Sequence, residues 1–244
     1  MHSHLTRRSF LALTGAAALL PYCALETLAQ GAAGPLKLGA IGAGNIGGTV
    51  GSFWVKAGHQ VFFSSLNPDE LKPMVAELGS RAQAGTTAQA VAFGDVVLLA
   101  VPYRAIPQVG RDFSAALKGK ILIDTCNATP ARDGEDLVTQ SKQKGIGVLT
   151  ASFFPGVRVV RGFNSMGANV LKNTANRAGD KMPIPIASDD AEAAKIAARL
   201  VRDAGFDPVM AGPLARAADF SMGTSGYGQH ANAAALRKVL GVSE

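Results

Sequence analysis

Three glycines, in the stretch Gly42-x-Gly44-x-x-Gly47, have the spacing that binds a dinucleotide pyrophosphate. The first permits a tight turn out of a strand, and the second lets backbone N–H groups approach the phosphates. The third lets a helix pack close to the strand, with its positive N-terminal dipole directed at the anion. The pattern predicts a dinucleotide site, and a glycine-rich structural turn is the alternative.

The elements around these glycines are those that a dinucleotide site requires. An apolar run at residues 36–41 precedes the motif, and residues 45–57 have the pattern of a helix that Gly58 can end. A second apolar run follows at residues 59–64. This order and spacing predict a βαβ unit, which favours the cofactor over the structural turn.

Strand-like and helix-like runs alternate along most of the chain. The uninterrupted apolar run VVLLAV indicates a strand that is buried on both faces, as in a parallel sheet. We therefore predict an α/β fold of the Rossmann type, a doubly wound, mostly parallel sheet with a short C-terminal extension. The predicted strands are 37–41, 60–64, 96–101, 121–124, 157–162, 184–187 and 208–211, and the predicted helices are 45–57, 67–78, 86–92, 103–116 and 189–204.

The ends of the chain depart from this pattern. Residues 220–232 are rich in glycine, serine and aromatic residues, and 233–240 have a helical pattern. We predict a dinucleotide-binding domain over 34–214 and an extension over 215–244. This extension either covers the substrate edge of the sheet or packs across a homodimer.

The first 33 residues have the features of an export signal. Arg7 and Arg8 form a twin-arginine pattern, which is followed by a short apolar run and then by small residues near 29–33. The apolar run is too short to span a bilayer comfortably, so we predict cleavage and no stable membrane insertion. The expected location is the periplasm, or otherwise outside the cytoplasm. An amphipathic N-terminal tail is the alternative.

Composition excludes several classes of function. Removing residues 1–33 lowers the net charge from +6 to +5, and no basic stripe with interleaved aromatic residues predicts nucleic-acid binding. Cys126 is then the only cysteine, which excludes an internal disulfide, and we expect a buried thiol in preference to a nucleophile. His59 and His230 have no metal-binding spacing, so we predict no metal site and small-molecule partners. We expect His59 at the surface and His230 to be a polar residue of the tail, with a proton donor as the alternative for His230.

From about residue 36 to 214, the chain resembles the family of NADP-dependent coenzyme F420 reductases and related dinucleotide-binding proteins. The stretches that carry the resemblance are GAGNIGG, LLAVPYRAI, FPGVRVVRGFNSMGANVL and SDDAEAAKIAARLVRDAGFDPVMAGPL. The resemblance implies nicotinamide chemistry, with NADP or NAD as cofactor and F420 or a flavin as second cofactor. The same domain occurs in metal reductases that pass electrons from NADPH through a flavin.

The family's cofactor-binding positions map onto residues of this chain. One position departs from the family, because Leu66 stands where many members have an arginine that pairs with the 2′-phosphate of NADP. No acid replaces it, so the usual NAD signature is missing too. The residues expected to bind cofactors are Gly42, Ala43, Gly44, Asn45, Ile46 and Gly47 at the pyrophosphate, Ser64, Ser65 and Asn67 near the adenosine ribose, Ala100, Val101 and Pro102 beneath the nicotinamide, and Asn127, Phe163 and Asn164 near the second cofactor.

Each of these assignments has a structural alternative. Val101 and Pro102 form either an apolar floor for the nicotinamide or an ordinary strand end with a proline. Asn127 either binds a carboxamide or ring carbonyl, or bonds its own turn. Phe163 and Asn164 follow a buried strand, where ligands bind open sheets, although a cap is the alternative.

The predicted activity is hydride transfer between a nicotinamide cofactor and a deazaflavin or flavin, by an exported oxidoreductase. Such a reaction needs two rings held in contact and water excluded, and little acid–base chemistry from side chains. We therefore expect no catalytic acid or base. The alternatives are an NAD(P)-binding protein without turnover and an NADPH-dependent flavin or metal reductase module.

Overall fold

A computed structural model describes residues 34–243, and the predicted export signal at 1–33 lies outside these residues. The strands are β1 (Lys37–Ile41), β2 (Gln60–Ser64), β3 (Ala82–Gly85), β4 (Val96–Leu99), β5 (Ile121–Asp124), β6 (Arg158–Arg161), β7 (Pro183–Ser188) and β8 (Asp207–Gly212). The α-helices are α1 (Asn45–Lys56), α2 (Lys72–Leu78), α3 (Thr87–Phe93), α4 (Ile106–Leu117), α5 (Pro130–Asp133), α6 (Glu135–Lys144), α7 (Ile146–Ser152), α8 (Ala168–Thr174), α9 (Ala191–Asp203) and α10 (Ala233–Leu240). Short 3₁₀ helices cover Pro68–Leu71, Tyr103–Ala105 and Leu214–Phe220.

The eight strands form one sheet in the order β3-β2-β1-β4-β5-β6-β7-β8. Strands β1 to β6 are mutually parallel, β7 is antiparallel to β6, and β8 is parallel to β7. The strand order reverses between β1 and β4, and ligands bind at such a switch point in open α/β sheets. The predicted Rossmann-type, mostly parallel fold is confirmed.

Helices cover both faces of the sheet. One apolar core joins β1, β2 and β7 to α1, α8 and α9 and includes the fully buried Trp54. A second core joins the opposite face to α3, α4 and α7, and includes Tyr103. Because both faces are covered, the strands are uninterrupted apolar runs, which is why their positions could be predicted.

The sequence analysis missed three regions. Strand β3, with the sequence AQAG, lies at the edge of the sheet and is partly exposed, so it lacks an apolar run. Residues 130–152 form α5, α6 and α7, and Ala168–Thr174 forms α8, where no helix was predicted. Strand β4 also ends at Leu99, two residues before the predicted end.

The residues after 214 are built into the same compact unit as the sheet. A third apolar core packs α10 and the Leu214–Phe220 helix against β8, with Phe220 and Leu236 fully buried. Within residues 34–243, no helix is both long and apolar enough to cross a membrane.

Candidate functional site

The glycine loop connects β1 to α1 at the switch point. Gly42 has a φ of +90°, and a Cβ there would lie 2.5 Å from the carbonyl oxygen of Ala100. A Cβ on Gly47 would lie 1.9 Å from the carbonyl oxygen of Gly42. Both positions therefore require glycine, one for the turn and one for the close approach of α1.

The start of α1 is open to a ligand. Gly44 is the N-cap with no side-chain cap, and the first turn of α1 carries no acid. A Cβ on Gly44 would meet nothing within 4 Å. A groove of about 470 Å³ opens beside the loop, and its lining includes Asn45, Lys56 and Lys172. Uncapped N–H groups at a helix start bind phosphates, so this geometry fits a pyrophosphate. The N–H of Ala43 instead donates to the Ser64 carbonyl (2.9 Å), which ties the loop to β2.

The end of β2 contains the residues predicted to lie near the adenosine ribose. Ser64 is fully buried and its hydroxyl donates to the Ala40 carbonyl (2.8 Å), so this side chain faces the sheet and not the groove. Ser65 Oγ accepts from the N–H of Asn67 (2.9 Å), and Asn67 Nδ2 donates to Glu70 Oε1 (3.0 Å). Leu66 is 100% exposed. This edge therefore presents an apolar side chain beside a carboxylate.

The residues after β4 lie beside the glycine loop. The N–H of Ala100 donates to the Ile41 carbonyl (2.9 Å), which continues the pairing of β1 with β4. Ala100 and Val101 are half-buried, and Pro102 is exposed. These residues provide an apolar surface at the switch point, as a nicotinamide ring requires.

A buried polar cluster lies beyond this surface, at the ends of β5 and β6. Arg161 Nη1 donates to Asp124 Oδ2 (2.6 Å), and both side chains are fully buried. Arg161 Nη2 donates to Asn127 Oδ1 (2.8 Å), and Asn127 Nδ2 donates to the Asn164 carbonyl (2.7 Å). The sequence analysis missed Arg161 and Asp124, although their opposite charges at the ends of two apolar strands were a usable signal.

Phe163 and Asn164 differ from their predicted role. The Phe163 ring is 1% exposed and makes an edge contact with Trp54 in the core, so its side chain does not reach a cofactor. Asn164 is also buried, and its Nδ2 donates to the carbonyl of Phe220 (3.2 Å). The C-terminal residues thus cover Asn164. The position of Asn164 after a strand could not indicate this contact.

Asn127, in contrast, lines a cavity of about 270 Å³. The walls come from α6, the start of α7 and residues 218–224, and Lys142 supplies the positive charge of the lining. This volume is just below the range of ~300–1,000 Å³ for small-molecule sites. It can hold a ring system, and the rest of a larger ligand would extend outside.

Other titratable groups near the cluster are held in one protonation state. Burial, and then the charge of Asp124, raise the pKa of the Cys126 thiol well above its ordinary value. Burial, and then Asp124, likewise raise the pKa of the Tyr103 phenol, whose hydroxyl contacts Thr150 (3.1 Å). The expectation of a buried Cys126 is confirmed, and neither group is placed to ionise near neutral pH.

Two histidines were assessed from the sequence. The prediction of a surface position for His59 is wrong, because it is 2% exposed. Its Nδ1 accepts from the N–H of Leu36 (3.1 Å) and its Nε2 lies 3.0 Å from Asp203 Oδ2, and these bonds compensate its burial. His230 is exposed, as expected. Within residues 34–243, no group of three His, Cys, Asp or Glu side chains could hold a metal ion.

Comparison with known proteins supports a dinucleotide-dependent enzyme. Residues 37–128 match the model of a family described as NADP oxidoreductase, coenzyme F420-dependent. A crystal structure of a hypothetical protein from Sinorhizobium meliloti is 26% identical, with a TM-score of 0.66 over 86% of this chain and 96% of that chain. No curated protein sequence matches the chain.

Two further structures share the fold. A protein from an Arthrobacter species, provisionally named an F420-dependent NADP reductase, is 21% identical with a TM-score of 0.61, over 75% of this chain and 87% of that chain. An imine reductase from Myxococcus stipitatus in complex with NADP⁺ is 18% identical with a TM-score of 0.54. The alignment covers 84% of this chain but 59% of that reductase.

The fold, the glycine loop and the family match define the class of this protein as an NAD(P)-dependent oxidoreductase. Within that class, residues 37–128 match the model of the F420-dependent NADP oxidoreductases. The predicted resemblance to this family is confirmed over those residues.

Proposed function

We propose that this protein transfers hydride between a nicotinamide nucleotide and a deazaflavin (F420) or a flavin. One observation carries the proposal, namely that the uncapped start of α1 at Gly44 and the cavity at Asn127 lie at the same edge of the sheet. The carboxyl ends of β1, β4, β5 and β6 share that edge because these strands are parallel. A donor ring and an acceptor ring can therefore be held side by side.

The residues present fit the nucleotide. The N–H groups of the first turn of α1 would hold the pyrophosphate, and the open space at Gly44 lets it approach the backbone. Val101 and Pro102 would lie against the nicotinamide and exclude water from one of its faces. When bound, a reduced nicotinamide supplies two electrons and a proton as hydride.

The cavity at Asn127 would hold the acceptor ring. Apolar side chains such as Val138 and Ile146 supply contact area, and Lys142 favours a ligand that carries an acidic group. Residues 218–224 form one wall, so the extension would cover the substrate edge of the sheet. This arrangement supports the first of the two roles expected for the extension.

The residues after β2, which would lie near the adenosine ribose, support weak discrimination between NADPH and NADH. Leu66 provides no positive charge for a 2′-phosphate, and Asp69 and Glu70 are acids of the adjoining 3₁₀ helix. Lys72 is paired with Asp69 (2.7 Å), and both side chains are exposed. We therefore expect NADH to compete effectively with NADPH, in spite of the family's NADP chemistry.

Stopped-flow absorbance tests the activity. Purified protein would be mixed with NADPH or NADH and with FMN, riboflavin or F420, and nucleotide oxidation followed at 340 nm. Oxidation that depends on one acceptor supports the proposal. Nucleotide binding without oxidation by any acceptor would instead establish a binding protein without turnover. Oxidation only when ferric citrate accompanies FMN would establish a flavin-dependent metal reductase.

We further propose that the protein is exported through the twin-arginine route to the periplasm. The proposal rests on the order of Arg7, Arg8, apolar run and small residues in the sequence. That route carries folded proteins, which suits a domain that binds its nucleotide before export. Replacing Arg7 and Arg8 by lysine should retain the protein in the cytoplasm, as measured by cell fractionation, whereas an unchanged distribution would refute export by this route.

The predicted homodimer stays a prediction that light scattering can test.

A further inference from the structure

The ion pair of Arg161 and Asp124 is fully buried beside the candidate acceptor cavity. Removing two charges from water costs several kcal/mol per ion, so a buried pair is weak evidence for stability. The pair lies at the carboxyl ends of β5 and β6, next to the proposed acceptor site, so we consider a role for it in ligand binding. Asp124 also accepts from the N–H of Cys126 (2.8 Å), which fixes the turn that leads to Asn127.

Arg161 determines which way the Asn127 amide faces. A guanidinium has donors and no acceptor, so the atom that faces Arg161 Nη2 at 2.8 Å must be the oxygen of Asn127. The amide nitrogen then faces the Asn164 carbonyl, at 2.7 Å. Arg161 and Asn164 together therefore exclude the flipped amide, which would place two donors against each other and two acceptors against each other.

The amide nitrogen of Asn127 has two hydrogens, and the Asn164 carbonyl takes one of them. Within residues 34–243, no partner occupies the second hydrogen, which makes it a donor that Asn127 can offer to a ligand in the cavity. Its partner must be an acceptor, such as a ring carbonyl oxygen. The adjacent guanidinium withdraws charge through Oδ1 and strengthens this donor.

We propose that Arg161 is a positioning residue that presents Asn127 as a hydrogen-bond donor to a carbonyl oxygen of the acceptor. The inference rests on the proposed function and names the acceptor's chemistry, a conjugated ring with a carbonyl and an acidic substituent near Lys142. Hydride transfer breaks a C–H bond of the nicotinamide and forms a new bond to hydrogen on the acceptor ring. The Asn127 N–H would stabilise the negative charge that the hydride brings to a ring carbonyl oxygen of the acceptor. Water supplies any later proton.

The first test is Asn127→Asp, which keeps an oxygen for Arg161 and removes the N–H donor. We expect the rate of NADH oxidation by FMN or F420 to fall by ~10- to 100-fold, since losing one such donor typically costs that much or more. The Kd of FMN or F420, measured by quenching of its fluorescence, should rise by about 10-fold. The Kd of NADH should stay within about twofold. Gln60→Glu is the matched control, because it makes the same amide-to-acid change at the exposed first residue of β2, on the amino edge of the sheet. It should change none of these quantities.

The second test is Arg161→Lys, alone and combined with Asn127→Asp. Lysine keeps a positive charge for Asp124 but lacks the planar fork that reaches both partners. In the natural background this change should lower the rate by ~10-fold, and in the Asn127→Asp background it should lower it no further. A purely structural Arg161 would reduce the melting temperature and lower the rate by the same factor in both backgrounds.

The outcomes separate this inference from the proposed function. Absence of nucleotide binding would refute the function itself. Nucleotide binding with no binding of FMN or F420 would refute the acceptor site and this inference. Normal turnover by Asn127→Asp, or multiplicative effects of the two substitutions, would refute the role of Arg161 and leave hydride transfer standing. If Arg161→Lys does not fold, Asn127→Asp decides the inference through its effects on rate and acceptor affinity.

Discussion

The carbonyl oxygen of Gly42 lies 1.9 Å from the point where a Cβ on Gly47 would stand. The turn after β1 therefore approaches the first turn of α1 so closely that a side chain at Gly47 would clash with its backbone. Gly44, between them, has open space at the same position. The three glycines of the motif therefore have different roles. Substitutions at Gly47 and Gly44 should separate the effect on helix packing from the effect on nucleotide binding.

Gly44→Val should weaken nucleotide binding by at least ~10-fold, because the side chain would occupy the space that the pyrophosphate needs. Its melting temperature should change little, because Gly44 has an ordinary extended conformation. Gly47→Ala should instead reduce stability by ~1–3 kcal/mol through overpacking. Nucleotide titration and thermal melts of both variants test this. Unchanged titration by Gly44→Val would place the site elsewhere.

Leu66→Arg should raise the preference for NADP over NAD by ~5- to 20-fold. The exposed position gives a guanidinium access to a 2′-phosphate, with which it forms charge-assisted hydrogen bonds. The measurement is the ratio of the two dissociation constants, and Leu66→Gln, which adds polarity without charge, is the control. An unchanged ratio in Leu66→Arg would mean that the ribose lies away from the end of β2.

His59→Ala should reduce the free energy of unfolding by ~1–3 kcal/mol, because it leaves the partly buried N–H of Leu36 without its acceptor. His59→Gln, which can still offer an acceptor, should lose less. Chemical denaturation measures both. The nucleotide Kd should be unchanged in each variant, since His59 precedes β2 at the amino edge of the sheet. A weaker nucleotide affinity would contradict this assignment.

Asp190 should contribute stability in a pH-dependent manner. A hydrogen bond from the Arg158 side chain (2.6 Å) and another from the Ala193 N–H lower the pKa of this carboxyl. Because the folded pKa is lowered, the contribution is complete above the unfolded pKa of about 3.9 and is lost as pH falls through the folded value. Asp190→Asn keeps the helix cap but removes the ion pair with Arg158. Its stability deficit, from denaturation between pH 2 and 7, should be constant above about pH 5 and shrink at lower pH.

The sequence by itself determined the fold class, the glycine loop and the order of most strands. These depend on local signals, because strands covered on both faces must be continuously apolar and only glycine fits the turn at Gly42. Strand β3 and helices α5–α8 were missed, since weak or polar patterns gain their structure from neighbours. The sequence also left the choice between NADP and NAD open, because Leu66 replaces the expected arginine and no acid takes its place.

Tertiary structure alone decided which side chains are accessible to a ligand. Ser64, Phe163 and Asn164 were expected at the cofactor, yet each is buried by a contact with a residue distant in sequence. The buried guanidinium of Arg161 reaches Asn127 across 34 residues of chain. The end of a strand can be predicted from residue types. The hydrogen-bond partners of a side chain there depend on which strands are neighbours in the sheet, and the spacing of residues in the sequence does not indicate the strand order.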